Sequence, residues 1–296
     1  MAQDPDGTGR VQAWTVEAHN TAPDSENRIH DDEVARRYGF AGGLVPGVTT
    51  YAWLARQALV ALGPAWLERG TIEVRFLQPV YEGDRVLVEA VTEEREGAPA
   101  DESTAGEVRG DAAPPVGDRV ARLTASLPDG ATAAVGTATL PAMPFAPPDP
   151  RDYPPGDLPD DPVPVSAEVL RGLGPLGVLG AGFRAERVDE YLEPVRDDHP
   201  YWRESGVAHP GWLLQFANWI LAANVRLGPW IHTGSAVTFH RPVRDGERFE
   251  LRGRVADTYE RRGHHLVDLD LLFVVGDEPV QHVKHTAIHR IRPAAG

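Results

Sequence analysis

The chain contains no cysteine, which removes disulfides, thiolate nucleophiles, cysteine-held zinc and iron–sulfur clusters together. Lysine occurs once, at Lys284, which argues against a Schiff-base enzyme or a phosphate loop ending in Gly-Lys-Ser/Thr. Positive charge is scarce: 29 lysines and arginines stand against 44 aspartates and glutamates, a formal net charge of −15. Such an acidic field repels phosphate backbones and anionic lipid, so neither nucleic acid nor a membrane surface is expected as a partner. Long apolar runs are missing too, since even the stretch Trp212–Leu227 is broken by Gln215, Asn218, Asn224 and Arg226. Residues 1–7 have neither a basic start nor an apolar run, so no secretory signal is expected and a cytoplasmic protein is.

What is present describes a globular chain. With 296 residues, 42% of them hydrophobic and 25% charged, there is material for two ordinary domains with cores of their own. Ten prolines fall between Pro141 and Pro164, a density that forbids helix and central strand and predicts an extended, semi-rigid spacer. The expected organisation is an N-terminal unit over 1–140, a linker over 141–165 and a C-terminal unit over 166–296. Gly97–Gly117, rich in Ala, Gly, Pro and acidic residues and free of aromatics, is expected as a mobile surface loop.

The two units repeat each other. Gly63-Pro64-Ala65-Trp66 precedes Phe76-Leu77-Gln78-Pro79-Val80-Tyr81-Glu82-Gly83-Asp84-Arg85, and Gly228-Pro229-Trp230 precedes Phe239-His240-Arg241-Pro242-Val243-Arg244-Asp245-Gly246-Glu247-Arg248. Upstream, Pro46-Gly47 and Pro210-Gly211 each open an apolar stretch, Val48–Leu62 and Trp212–Leu221. Both stretches are apolar around most of a helical circumference and are expected to be buried on most sides. Alternation over Arg85–Val91, Val120–Leu127 and Leu266–Val275 predicts antiparallel strands, with turns at Leu127-Pro128-Asp129-Gly130 and Val275-Gly276-Asp277. One buried helix and one antiparallel sheet per copy make an α+β unit.

The segment Asp24-Ser25-Glu26-Asn27-Arg28-Ile29-His30-Asp31-Asp32, running through Gly42-Gly43-Leu44-Val45-Pro46-Gly47, carries the chemistry. It resembles the motif of the MaoC-like (R)-specific enoyl-CoA hydratase/dehydratase family, Asp-x-Asn-Pro-hydrophobic-His-x-Asp followed by a short helix and a glycine-rich turn. Asn27, Ile29, His30 and Asp32 match. Arg28 stands at the family's proline, Ser25 at its catalytic aspartate, and Pro46 where many relatives carry histidine. The resemblance implies a double hotdog: two tandem hotdog units, each a central helix wrapped by an antiparallel sheet, already mimicking a hotdog dimer. It implies a water added across an enoyl thioester carried by CoA or acyl-carrier protein, with no cofactor and no metal, and a homodimer of whole chains is possible. His30 would handle the proton, Ser25 or a neighbouring carboxylate the water, and Gly47 N–H the enolate oxygen, with Gly43 and Pro46 in the substrate-binding turn.

Each residue also has a plainer reading. His30 can simply hydrogen-bond the loop, and Asn27 can pin the loop through the backbone. Asp31 and Asp32 suit the first turn of a helix through Ala35-Arg36-Arg37, and Gly42, Gly43 and Gly47 suit a tight turn. Asp24 or Glu26 could replace the missing carboxylate, but in extended chain each points away from the face of Ser25. In the C-terminal unit His209-Pro210-Gly211 repeats the turn, yet Arg196 stands near the place of His30, so that unit is expected to be non-catalytic.

Three other patterns carry less. Gly172-Leu173-Gly174-Pro175-Leu176-Gly177 fits a dinucleotide glycine pattern but follows the proline-rich stretch rather than a strand. His285 and His289 share one strand face, with His264, His265 and His282 nearby, but no carboxylate alternates with them and solvent exposure is expected. Ser235 lacks a nucleophile elbow. Besides the hydratase, a non-catalytic acyl-thioester-binding or assembly protein is the alternative, favoured by Ser25. A hotdog thioesterase comes third, since Thr49, Thr50 and Gln57 put no acid on the helix.

Overall fold

The computed structural model describes residues 9–95 and 117–292, so nearly all of the surface loop expected over Gly97–Gly117 lies outside the described residues. The first half contains β1 (Gly9–Arg10), β2 (Trp14–Glu17), α1 (Asp32–Arg37), α2 (Gly47–Leu62), α3 (Ala65–Arg69), β3 (Thr71–Phe76), β4 (Arg85–Arg95), β5 (Asp118–Ser126) and β6 (Thr132–Leu140). The second contains α4 (Ala167–Gly172), β7 (Leu179–Gly182), α5 (Asp189–Val195), α6 (Tyr201–Glu204), α7 (Pro210–Asn224), β8 (Ile231–Phe239), β9 (Arg248–Arg261), β10 (His264–Val275) and β11 (Glu278–Arg290).

The strands form one antiparallel sheet in the order β1-β4-β5-β6-β3-β8-β11-β10-β9-β7, with β2 also pairing β4. The halves join at β3 and β8, where Glu73 pairs with Ala236. These two positions are counterparts in the sequence repeat, three residues before Phe76 and Phe239, so a pseudo-twofold axis passes between them. A self-complementary pairing of this kind is the geometry of a twofold dimer, here built within one chain.

The two long helices lie on the inner face of the sheet and share one hydrophobic core with it. Thirteen of the sixteen residues of α2 are buried, so it is enclosed on most sides, as its composition predicts. Among its buried polar residues, Gln57 donates to Val88 O at 2.8 Å and Gln12 O at 3.2 Å, while its Oε1 has no partner among the described residues. α7 departs from expectation. It begins at Pro210 and ends at Asn224, and Trp212, Gln215, Asn218, Trp219 and Ala222 form a partly open stripe, with Trp219 49% exposed.

The proline-rich stretch is a pinned strap. Gly156 and Pro164 make parallel bridges to Gly177 and Arg226, and the buried Tyr153 packs with Leu272 and Val274 on the outer face of β10. Its hydroxyl donates to Asp270 at 2.9 Å. None of the helices among the described residues is long and apolar enough to cross a membrane.

Candidate active site

The matched motif folds into a short flap that the second half holds down. Asn27 caps a 3-10 turn over Arg28–His30 through its side-chain oxygen. The same amide accepts from Trp230 N–H at 3.1 Å and donates to Trp230 O at 3.0 Å. Asn27 therefore pins more than its own loop: it ties the motif to a residue 203 positions away. Ile29 is fully buried in a small cluster with Leu44 and Ile291, against which Ile231 and Ile288 pack. Asp31 caps α1 by accepting from Val34 N–H at 2.9 Å, while Asp32 Oδ1 accepts from Gly43 N–H at 2.8 Å and closes the glycine turn.

His30 is held in one tautomer. Its Nδ1–H donates to Leu44 O at 2.6 Å, so a neutral ring leaves Nε2 as an acceptor, 3.3 Å from Asn27 Nδ2. Burial lowers the pKa of His30, partly offset by the Leu44 carbonyl, which keeps the ring neutral and the acceptor available near neutral pH. The backbone beneath is rigid: Asn20 Nδ2 donates to His30 O at 2.8 Å. A Cβ on Gly43 would lie 2.1 Å from that same oxygen. Gly43 thus serves the turn, with its N–H committed to Asp32, and is not among the residues lining the pockets at His30.

Two adjoining pockets, with about 890 and 1320 Å³ of space when the open solvent at their mouths is included, meet at Asn27, His30, Pro46, Asn218 and Trp230. The first runs over Gly47, Thr50, Phe76, Val80 and His232 and is largely apolar. The second opens past Ser25, Glu26, Gln215, Trp219 and Arg226. Pro46 gives α2 no side-chain cap, so the positive end of a sixteen-residue helix faces the first pocket at Gly47. The space there is tight: a Cβ on Gly47 would lie 3.0 Å from His232 Nδ1 and 3.2 Å from the Phe76 ring, so a larger residue would have to displace these side chains. Ser25 hydrogen-bonds only weakly, to Asn27 O at 3.3 Å. Glu26 lines the second pocket beside Ser25, whereas Asp24 does not. Residues 23–27 form a turn and bend, closed by Ser25 N–H donating to Ala22 O at 3.1 Å, and not the extended chain in which the two faces would alternate.

The pseudo-equivalent turn in the second half is closed. His209 Nδ1 accepts from Gly211 N–H at 2.9 Å, occupying the donor that Gly47 leaves free. His209 Nε2 lies 3.2 Å from Asp197, and both side chains are fully buried. Burial raises the Asp197 pKa, but hydrogen bonds from His209 and from the His199 backbone, with the charge of Arg56, hold it below the usual value. The Tyr191 hydroxyl would lie 2.2 Å from a Cβ on Gly211 and so packs directly against this glycine. Arg196 is an exposed residue with left-handed backbone at the end of α5.

The remaining patterns also resolve. Gly177 exchanges two hydrogen bonds with the Asn224 side chain, a structural lock between α7 and the segment that the strap bridges through Gly156. His285 and His289 are 1% and 4% exposed, so the expectation that they face solvent is overturned: they alternate with Val283 and Ala287 on the inward face of β11. His285 Nδ1 and His232 Nε2 each lie 2.9 Å from Ser235 Oγ, a buried chain behind Gly47. Among the described residues no three His, Asp or Glu side chains are placed to hold a metal ion. Asn218, Trp230 and His232, all from the second half, were not singled out for the site from sequence. Only Asn218 left a signal, as a polar interruption of an apolar helix.

No family model matches the sequence, and no curated protein matches it. Solved structures do. A MaoC-like dehydratase matches at TM-score 0.59 and 12% identity, covering 97% of this chain and 98% of its own. A protein described as a MaoC domain dehydratase from Chloroflexus aurantiacus J-10-fl matches at 0.58 and 10%, covering 94% and 95%. Rv0216 of Mycobacterium tuberculosis, described as a conserved hypothetical protein with a double hotdog fold, matches at 0.54 and 16%, covering 94% and 95%. Structures described as thioesterases also match, at TM-scores of 0.48 and 0.49. The fold is a double hotdog, and its structural neighbours include MaoC-like dehydratases aligned over nearly the whole chain.

Proposed function

We propose that the protein hydrates an enoyl thioester, or dehydrates the corresponding 3-hydroxyacyl thioester, carried by CoA or acyl-carrier protein. The observation that supports this is His30: its Nδ1–H is fixed on Leu44 O, and its unprotonated Nε2, with Asn27 Nδ2 at a long 3.3 Å that a water can displace, lies in a pocket that also receives the free N-terminus of α2. In the hydration direction His30 Nε2 takes a proton from water as the hydroxyl adds to C3. The electron pair moves onto the thioester oxygen, where Gly47 N–H and the helix dipole stabilise the enolate. The proton then returns to C2, so atoms and charge balance without a cofactor. Glu26 supplies the carboxylate that Ser25 lacks, from the same pocket wall. Pro46 shapes the junction of the pockets. The cytoplasmic expectation goes with this reading.

The test is the enoyl absorbance of short and medium trans-2-enoyl-CoA with pure protein, beside a thiol-release assay and the variants His30→Ala and Glu26→Gln. Loss of the enoyl signal without thiol release is expected, falling about 100-fold or more in His30→Ala. Tight acyl-CoA binding with an unchanged signal would establish the non-catalytic binding protein that Ser25 favours. Free thiol would establish a thioesterase.

A further inference from the structure

Asn218 is an anomaly in its own helix. It sits in the middle of α7, between buried Ala217 and Ile220, where its Oδ1 is buried without a hydrogen-bond partner among the described residues. The amide has no structural hydrogen bond comparable to those of Asn27, Gln57 or Asn224, each of which satisfies backbone groups. A leucine here would raise helix propensity and remove an unsatisfied polar atom. What the amide does have is place: Asn218 lines both pockets and stands with His30 where they meet.

Its orientation follows from the cost of orphan groups. One end of the amide is sealed in and the other faces the pocket. Sealing the oxygen and exposing the NH2 is the cheaper choice, because a buried donor without a partner is rarer and costlier than an under-used acceptor. The pocket junction then holds the acceptor His30 Nε2, beside the Asn27 Nδ2 of its own flap, and a donor from the other half of the chain, Asn218 Nδ2.

We propose that Asn218 is a substrate-positioning residue whose Nδ2–H donates to the oxygen that His30 deprotonates: the water in hydration, the 3-hydroxyl in the reverse direction. This rests on the hydratase/dehydratase reading. The second half, whose own turn is closed by His209 and Tyr191, thereby completes the site of the first. Gly47 lines only the first pocket, so it serves the thioester carbonyl while Asn218 and His30 share the oxygen at C3.

The experiment compares wild type with Asn218→Leu and Asn218→Ala in three measurements. Turnover of enoyl-CoA is expected to fall about 10- to 100-fold in kcat with little change in KM, because the positioned oxygen is not part of that substrate. The unfolding midpoint of Asn218→Leu is expected to hold or rise, which a structural asparagine would not allow. The third measurement needs no turnover: affinity for a 3-hydroxyacyl-CoA against the saturated acyl-CoA of equal length. Wild type is expected to prefer the hydroxylated ligand and the variants to lose that preference. If wild type turns over and Asn218→Leu keeps its kcat, or if the midpoint drops along with activity, the assignment is overturned while the hydratase reading stands. If wild type binds acyl-CoA and prefers the hydroxyl without turnover, the hydratase reading falls and the contact stands. Equal affinities in wild type, or no binding of either ligand, overturn the assignment.

Discussion

His30 shows how one side chain acquires a role from its surroundings. Its sequence neighbours point to acid–base chemistry, but the Leu44 carbonyl sets the tautomer and burial sets the direction of the pKa. Because burial lowers that pKa from its ordinary value near 6.5, the neutral base persists to more acidic pH. The acid limb of kcat/KM is therefore expected below about pH 6.5, measured as a pH–rate profile with enoyl-CoA. Asn27 is legible as a loop-pinning residue, and the structure adds its two bonds to Trp230. Asn27→Leu is expected to lose about 1–3 kcal/mol of stability in urea titration, because the Trp230 backbone groups lose their partners. His30 turnover should fall with it, since the flap loses its tie to the second half.

Helices and strands decide which of two equivalent turns stays open to a pocket. The pairs Pro46-Gly47 and Pro210-Gly211 look alike in sequence, and each opens a long helix on the sheet. The difference lies one residue upstream of Pro210, where His209 caps α7 and pairs with buried Asp197. Removing His209 leaves the buried Gly211 N–H without its partner, while Asp197 keeps Arg56, Trp202 and the His199 N–H. His209→Ala is expected to cost about 1–3 kcal/mol in denaturant unfolding. The fraction that remains folded should keep its kcat, because the His30 pocket does not include His209. The partly open stripe of α7 was hidden for a physical reason. Hydrophobicity around a helix reports how much of it is buried, but a pocket is lined by apolar residues too.

The assembled molecule brings together a single sheet, one shared core and a set of inward-facing histidines. Burial holds His285 at about 3 and His289 at about 4, and lowers His232 well below its ordinary value. The unfolded chain binds protons on these rings below about pH 6.5, whereas the folded chain does not until much lower pH. Stability is therefore full above about 6.5 and is lost as pH falls toward 4, by up to about 1.4 kcal/mol per pH unit for each ring that stays neutral. Unfolding midpoints measured in urea from pH 7.5 to 4.5 check this. His289→Phe is expected to flatten the slope.

Period, repetition and composition are local properties, and they were enough to read the two buried helices, the strands of each unit, the turns at Gly130 and Gly276, and the duplication itself. The motif from Asn27 to Gly47 was readable for the same reason, since its caps and turns form between residues close in the chain. The rest depended on contacts across long separations. Glu73 pairing with Ala236, Trp230 holding Asn27 and Asn218 joining His30 in the pocket lining each require the second half to fold back on the first, and the inward turn of His285 and His289 depends on strand pairing within the second half. Alternation along β11 put His285 and His289 on one face. Which face met the core was set by how that strand docks beside β8, and no local pattern carries that information.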